Sequence, residues 1–327
     1  MPERNETLWI GEAEVAELLS MDDAIDVLAA AYRLQAQGLA SSMRRAHVRE
    51  GDAILHAVGG TIAGRGLAGT KTWMYTPGGA SPLLIVFSIA DGSVLAVVEA
   101  FAMGQMRTAA TSGLATRVMA APDAATLALL GTGKQSFSQA HAVTCVRPIR
   151  TVRLFGRRPE PRAKLAARLR EELGVEVTEH GDVAEAVAGA EVITAITRSA
   201  DPYLEGAWLP AGAHVNAVGA IVPSRRELQV DAVARCDLVA ADSVAQARDD
   251  SGELRAAVEA GDLSWDDVRD LAEIVDTPPD ELRTETDITL FKALGIGLSD
   301  VALGAEVLRR AKLAGAGRTI ETAQLTH

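Results

Sequence analysis

Apolar positions along the chain follow two rhythms, and the change from one to the other divides it. In the first third, runs with period-two alternation or high β-propensity occur at residues 53–58, 70–75, 83–90 and 94–99, and they predict β-strands. The Asp91-Gly92 pair between the last two is a hairpin signal. Ser20-Met21-Asp22-Asp23 supplies an N-cap for an amphipathic helix running to about Gln37, and a second helix is expected from Ala100 through Arg107 to about Ala120. Together these elements predict an α+β unit built around antiparallel strands.

Past Pro122-Asp123 the pattern changes. Apolar strands at 126–132, 151–155, 175–178, 191–197, 214–219 and 237–241 alternate with helical stretches. That alternation predicts a parallel sheet covered on both faces and joined by right-handed crossovers. After Gly252 the alternation dissolves into helices and a Pro278-Pro279 turn, with Trp265-Asp266-Asp267 read as a helix start bearing acids near its positive end. A short apolar run at 288–294 precedes a last helix at about 298–313, which is expected to return to the first unit. No internal repeat is visible.

Composition adds exclusions. The chain has 327 residues, 48% hydrophobic and 23% charged, enough for two domains with ordinary cores. A net charge of −12 and 4% aromatic residues argue against a nucleic-acid partner, which needs a concentrated positive field. Cys145 and Cys236 stand in no metal-ligand spacing and read as buried thiols of a reducing compartment, and no metal site is expected. The first twelve residues lack a signal pattern, and the most apolar stretch, 82–103, is broken by Asp91-Gly92 and Glu99. A cytoplasmic protein without a membrane partner is the expectation.

The strongest chemical motif is Leu130-Gly131-Thr132-Gly133-Lys134-Gln135-Ser136. A strand runs into a tight turn that opens a helix. Gly131 serves the turn, and Gly133 lets the backbone approach a pyrophosphate seated on the helix N-terminus. Ser136 replaces the usual third glycine or alanine. With a second strand at 151–155, this predicts a Rossmann-type dinucleotide site. The end of that strand carries Phe155-Gly156-Arg157-Arg158, with no acid to hold a ribose 2′-hydroxyl and two guanidiniums suited to a 2′-phosphate. NADP(H) is therefore favoured, and NAD(H) remains open.

Three cations stand out in the first unit: Arg45 in Met43-Arg44-Arg45, Lys71 in a β-leaning run, and Arg107 in an otherwise uncharged helix. A buried cation needs a counter-anion, either an internal carboxylate or a ligand. Lys71, the Met106-Arg107-Thr108-Ala109-Ala110 helix and the Gly131–Gln135 turn occur in that order. They are followed by Val215-Asn216-Ala217-Val218-Gly219-Ala220, Arg226-Glu227-Leu228, Ser251-Gly252-Glu253 and Phe291-Lys292-Ala293-Leu294-Gly295. As an ordered set these resemble the ornithine cyclodeaminase/μ-crystallin family over nearly the whole chain.

The resemblance implies a Rossmann-type doubly wound domain, 123–298, inserted in an α+β substrate-binding and dimerisation domain, 1–122 plus 299–327. It implies a homodimer, and Arg45, Lys71 and Arg107 binding the carboxylate of an amino or imino acid. It also implies Arg107, Thr108, Gly131, Thr132, Gly133, Lys134, Gln135, Gly156, Arg157, Arg158, Val218 and Gly219 at the dinucleotide. The chain departs from the cyclodeaminases at two positions. Ile221 stands where they carry an Asp for the substrate's distal amine, and His56 where they carry a second acid. A diamino-acid substrate is disfavoured, whereas a cyclic ketimine needs only a carboxylate clamp, a hydride and a proton, the last from Lys71 or His56. An NAD(P)H-dependent reductase of Δ1-pyrroline-2-carboxylate or its six-membered homologue is the leading expectation. An alanine dehydrogenase-like enzyme, a cyclodeaminase and a non-catalytic dinucleotide-dependent binding protein are the alternatives.

Overall fold

The computed structural model describes residues 3–278 and 281–324, so the second proline of the Pro278-Pro279 turn lies outside the described residues. The chain separates into two units, 1–107 with 295–327 and 108–294.

In the first unit, seven strands lie in the order Arg318–Gln324, Glu3–Ile10, Val94–Glu99, Leu83–Ser88, Leu67–Tyr75, Ala53–Ile62 and Ala40–Ser42, and Ala46–Glu50 also pairs with Ala53–Ile62. All pairings are antiparallel except Glu3–Ile10 against Val94–Glu99. The helix Gly297–Ala314 packs on the sheet, and its residues 297–308 are all buried. Gly69 and Gly60 let it sit close, since side chains there would press on Val301 and Leu298. The helix Met21–Ala36 lies against it in turn, with Tyr32 beside Ser299 and Arg310 paired to Asp23 at 2.7 Å. Ser20 caps that helix and Asp23 caps Ser20 in return, a reciprocal arrangement. Direct cross-strand partners share a face, so Val48, Leu55 and Met74 form one apolar row, and all three are exposed.

The second unit is an eight-stranded sheet, parallel throughout, in the order Glu176–His180, Thr151–Phe155, Thr126–Leu130, Val192–Ala195, His214–Ala217, Thr289–Lys292, Leu238–Ala241 and Val268–Asp270. Alternate residues of a strand enter opposite cores: Leu127 and Leu129 one, Ala128 and Leu130 the other. The run expected only as an apolar stretch at 288–294 is a central strand of this sheet. Trp265-Asp266-Asp267 does not start a helix; it forms a turn into the short edge strand Val268–Asp270. The acids face solvent there and compensate no helix dipole.

The division falls within the helix Phe101–Met119, not at Pro122. Its second half is tied to the parallel sheet: Asn216 donates to Thr116 at 2.9 Å, and Met119 accepts from Thr289. His214 bridges Thr289 and Asn216, and burial pushes its pKa down to about 3, so it is neutral. Arg147 and Arg283 donate to the carbonyls that end the helix. Among the described residues no helix is long and apolar enough to cross a membrane.

Candidate active site

Two of the candidate side chains of the first unit, Lys71 and Arg107, meet on one carboxylate. Lys71 sits on the helix-covered face of its strand, 4% exposed, and its ammonium donates to Asp300 Oδ1 at 2.5 Å. Arg107 Nε lies 3.4 Å from the same oxygen. Arg45 donates to the Gly295 carbonyl at 3.2 Å. Gly295 has φ +83, and a Cβ there would run into the Arg107 guanidinium, so only glycine lets the chain pass between the two arginines. Gly104 leaves room beside the Lys71 ammonium.

Burial lowers the Lys71 pKa, Asp300 opposes that, and Arg107 and Arg45 reinforce it. Burial also works to raise Asp300, but Lys71 and Arg107 outweigh it and hold the carboxyl below its usual range. The second oxygen, Asp300 Oδ2, is buried with no hydrogen-bond partner.

His56 is opposite Trp73 in the strand pairing and stacks on its ring, centroids 4.7 Å apart at 18°. The Lys71 ammonium lies 5.1 Å from the centroid of the same ring, so both candidate proton donors border Trp73. Burial first, then Arg45, His47 and Arg49, lower the His56 pKa and favour the neutral ring. Its Nδ1 is buried without a partner. Arg45, His56, Lys71 and Arg107 are thus gathered in one unit. Sequence reasoning missed Asp300 and Trp73. The available signal for Asp300 was a lone acid opening a helix that is otherwise apolar for two turns, where a buried cation must answer it.

In the second unit, the sheet order reverses between Thr126–Leu130 and Val192–Ala195, and ligands of open parallel sheets bind outside the carboxyl ends of strands at such a point. A cleft of about 480 Å³ opens there, lined by Gly131, Thr132, Gly133, Phe155, Gly156, Arg157, Arg158, Ile196, Thr197 and Arg198. Gly131 has φ +134, and a Cβ would lie 2.5 Å from the Ile196 carbonyl oxygen. The helix Ser136–Val146 starts directly after the turn, with Gln135 at its N-cap and Ser136 fully buried. Arg157 and Arg158 are exposed at the cleft, and among the described residues neither makes an ion pair. Turn, helix N-terminus and cleft fit a dinucleotide. Lys134 is exposed beside the turn, while Val218 and Gly219 follow the strand His214–Ala217 outside the cleft lining. Thr108 is the helix residue after Arg107 and falls in the second unit. Ile221 is 42% exposed.

A model of the ornithine cyclodeaminase/mu-crystallin family matches residues 6–314. The chain is 29% identical to an alanine dehydrogenase of Archaeoglobus fulgidus over 97% of its own length and 98% of that protein. It is 32% identical to a Δ1-pyrroline-2-carboxylate reductase of Bacillus cereus over 70% of its length and 71% of that protein. Among solved structures, the iminosuccinate reductase of Paracoccus denitrificans in complex with NAD+ superposes with a TM-score of 0.91 at 27% identity, covering 97% of this chain and all of that one.

Proposed function

This chain belongs to the ornithine cyclodeaminase/mu-crystallin family, and from that premise we propose that it is an NAD(P)H-dependent oxidoreductase reducing a small cyclic imino acid of the Δ1-pyrroline-2-carboxylate or Δ1-piperideine-2-carboxylate type. One observation carries the reading. Lys71 and Arg107 meet the buried carboxylate of Asp300, and Arg45 lies near enough to act on the Lys71 ammonium. Guanidinium and ammonium groups so close together suit the carboxylate of a substrate, which guanidiniums bind in a forked geometry.

Arg45 and Arg107 would hold that carboxylate and fix the orientation of the C=N bond. Lys71, more acidic than a free lysine and hydrogen-bonded to Asp300, would give a proton to the imine nitrogen. His56, favoured as the neutral ring, would serve as a wall of the pocket with Trp73. The bound dinucleotide would supply the hydride to the imine carbon. Arg157 and Arg158 make NADPH the preferred form. The exposed row Val48, Leu55 and Met74 suits a homodimer, which a mass measurement in solution would test.

A second reading, amination of an open-chain 2-oxo acid, is favoured by the alanine dehydrogenase that matches nearly end to end. Cyclodeaminase chemistry fits less well, because Ile221 cannot hold an ammonium. The deciding experiment follows NADPH and NADH loss with cyclic imino acids, with 2-oxo acids plus ammonia, and with ornithine. Turnover of the imines supports the proposal. Turnover confined to the oxo acids transfers the chain to the second reading, and tight binding of an imino acid with no turnover makes it a binding protein.

A further inference from the structure

The second unit holds a group of buried charges that neither the cleft nor the clamp accounts for. Glu227 is fully buried, and its carboxylate joins two loops. Oε1 accepts from the Thr197 amide at 2.5 Å, the Thr197 hydroxyl at 2.7 Å and the Tyr203 hydroxyl at 3.0 Å. Oε2 accepts from the Gly219 amide at 2.6 Å. The Glu227 amide in turn donates to Glu253 Oε1 at 3.0 Å, and the other Glu253 oxygen lies 3.1 Å from the fully buried Lys292 ammonium. Lys292 also donates to the Ala220 carbonyl at 2.5 Å. The segments 196–198 and 218–220 are therefore tied from below by one carboxylate, itself held by an ion pair.

Topology says what those loops would meet. Gly156, Arg157 and Arg158 lie at the end of Thr151–Phe155, on one flank of the reversal point, where the adenosine ribose and its phosphate are read. Gly131 and Gly133 take the pyrophosphate at that point. The remaining half of a dinucleotide then extends the opposite way, over the ends of Val192–Ala195 and His214–Ala217, which continue into Thr197 and Gly219.

We propose that Glu227 is a positioning residue for the nicotinamide half of the dinucleotide, acting through the Thr197 and Gly219 backbone rather than by touching the cofactor. The inference rests on the dinucleotide site but not on the identity of the imino acid. Both carboxylate oxygens are required as acceptors. A glutamine offers one acceptor and one donor, so either the Thr197 or the Gly219 amide would face an N–H.

The test compares two probes, NADPH and adenosine 2′,5′-bisphosphate, which carries only the adenosine half. With Glu227→Gln the dissociation constant for NADPH should rise about tenfold or more, the size of a lost hydrogen bond to a charged group, with altered fluorescence of the bound nicotinamide. Binding of the bisphosphate should stay unchanged. Tyr203→Phe removes a donor that belongs to neither loop end and should leave both probes near wild type. Should Glu227→Gln fail to fold, Glu227→Asp keeps the charge but is too short to serve both loops, and it should show the same split. Equal loss of both probes, wild-type NADPH binding in the glutamate variants, or an equal effect of Tyr203→Phe would overturn the inference. A wild-type protein that binds neither NADPH nor NADH would instead overturn the dinucleotide reading itself.

Discussion

The two units each bury a cluster of charge, and the clusters differ in their partners. At Asp300 the contacts run between side chains, from the Lys71 ammonium and the Arg107 guanidinium, and among the described residues the second carboxylate oxygen has no donor. Around Lys292 there are two carboxylates to one ammonium, and Glu227 spends its oxygens largely on backbone amides. Side-chain charge can be recruited by a ligand of opposite sign. A carboxylate engaged by backbone amides fixes the course of the chain instead. The proposed roles, binding for the first cluster and positioning for the second, follow from what each carboxylate touches.

The largest expected effect breaks the first cluster. Lys71→Met removes the proton donor and one arm of the clamp, and kcat/KM for the imine should fall by roughly 10²–10⁴, the usual contribution of a positioned acid. The pH profile sharpens the assignment. Burial lowers the Lys71 pKa from its ordinary 10.5, and the group must be protonated to act. Activity should therefore decline as pH rises through a value below 10.5, and that limb should vanish from the residual activity of the variant. A limb that survives would reassign the donor.

Next comes stability. Asp300→Asn leaves the buried Lys71 ammonium and the partly buried Arg107 facing a neutral group and should cost about 3–5 kcal/mol in denaturant unfolding, the range for breaking a buried pair by removing one partner. The sign with pH is fixed by the depressed carboxyl. Its contribution is fully present above the ordinary value of 3.8 and is lost as pH falls through the lower folded value. The variant should consequently show a shallower loss of stability on acidification than the wild type. Parallel curves would mean that Asp300 carries no such coupling.

The same contrast explains how much was legible in the sequence. Features fixed by local backbone chemistry were visible: the strand at 151–155, the glycine turn at Gly131, the N-cap at Ser20. Arg45, Lys71 and Arg107 were conspicuous because cations interrupt apolar patterns. The counter-ion that Lys71 and Arg107 share was not, because an acid in the first turn of a helix has an ordinary reading as dipole compensation. Glu227, Glu253 and Lys292 were noticed only as parts of short motifs, since nothing in a sequence tells that three charges far apart in the chain share one interior. Thr289–Lys292 escaped as a strand because a four-residue apolar run has no period to read. The pairing of Glu3–Ile10 with Arg318–Gln324 joins the two ends of the chain, and no local pattern announces it.

A smaller effect tests the cleft of the second unit. Replacing Arg157 and Arg158 together by serine removes the two exposed guanidiniums that follow Gly156 at the strand end, and leaves Arg162, which donates to the Gly156 carbonyl, in place. The KM for NADPH should rise about 10–100-fold, corresponding to one or two charged hydrogen bonds, while the KM for NADH changes little. An equal rise for both cofactors would show that the arginines support the loop and do not read a phosphate.

The smallest expected effect concerns His56, and it separates the two proton donors. The ring is stacked on Trp73, which Lys71 also approaches, and burial together with Arg45, His47 and Arg49 disfavours its protonation. A histidine kept neutral has little proton to give at neutral pH, whereas the Lys71 ammonium is held in place by Asp300. His56→Leu preserves an apolar wall against Trp73 and should lower kcat by less than about tenfold, well below the effect of losing a general acid. It should shift the KM for imines of different ring size more than kcat. If kcat instead falls as far as in Lys71→Met, His56 is the donor, and Lys71 beside Asp300 serves only to clamp the carboxylate.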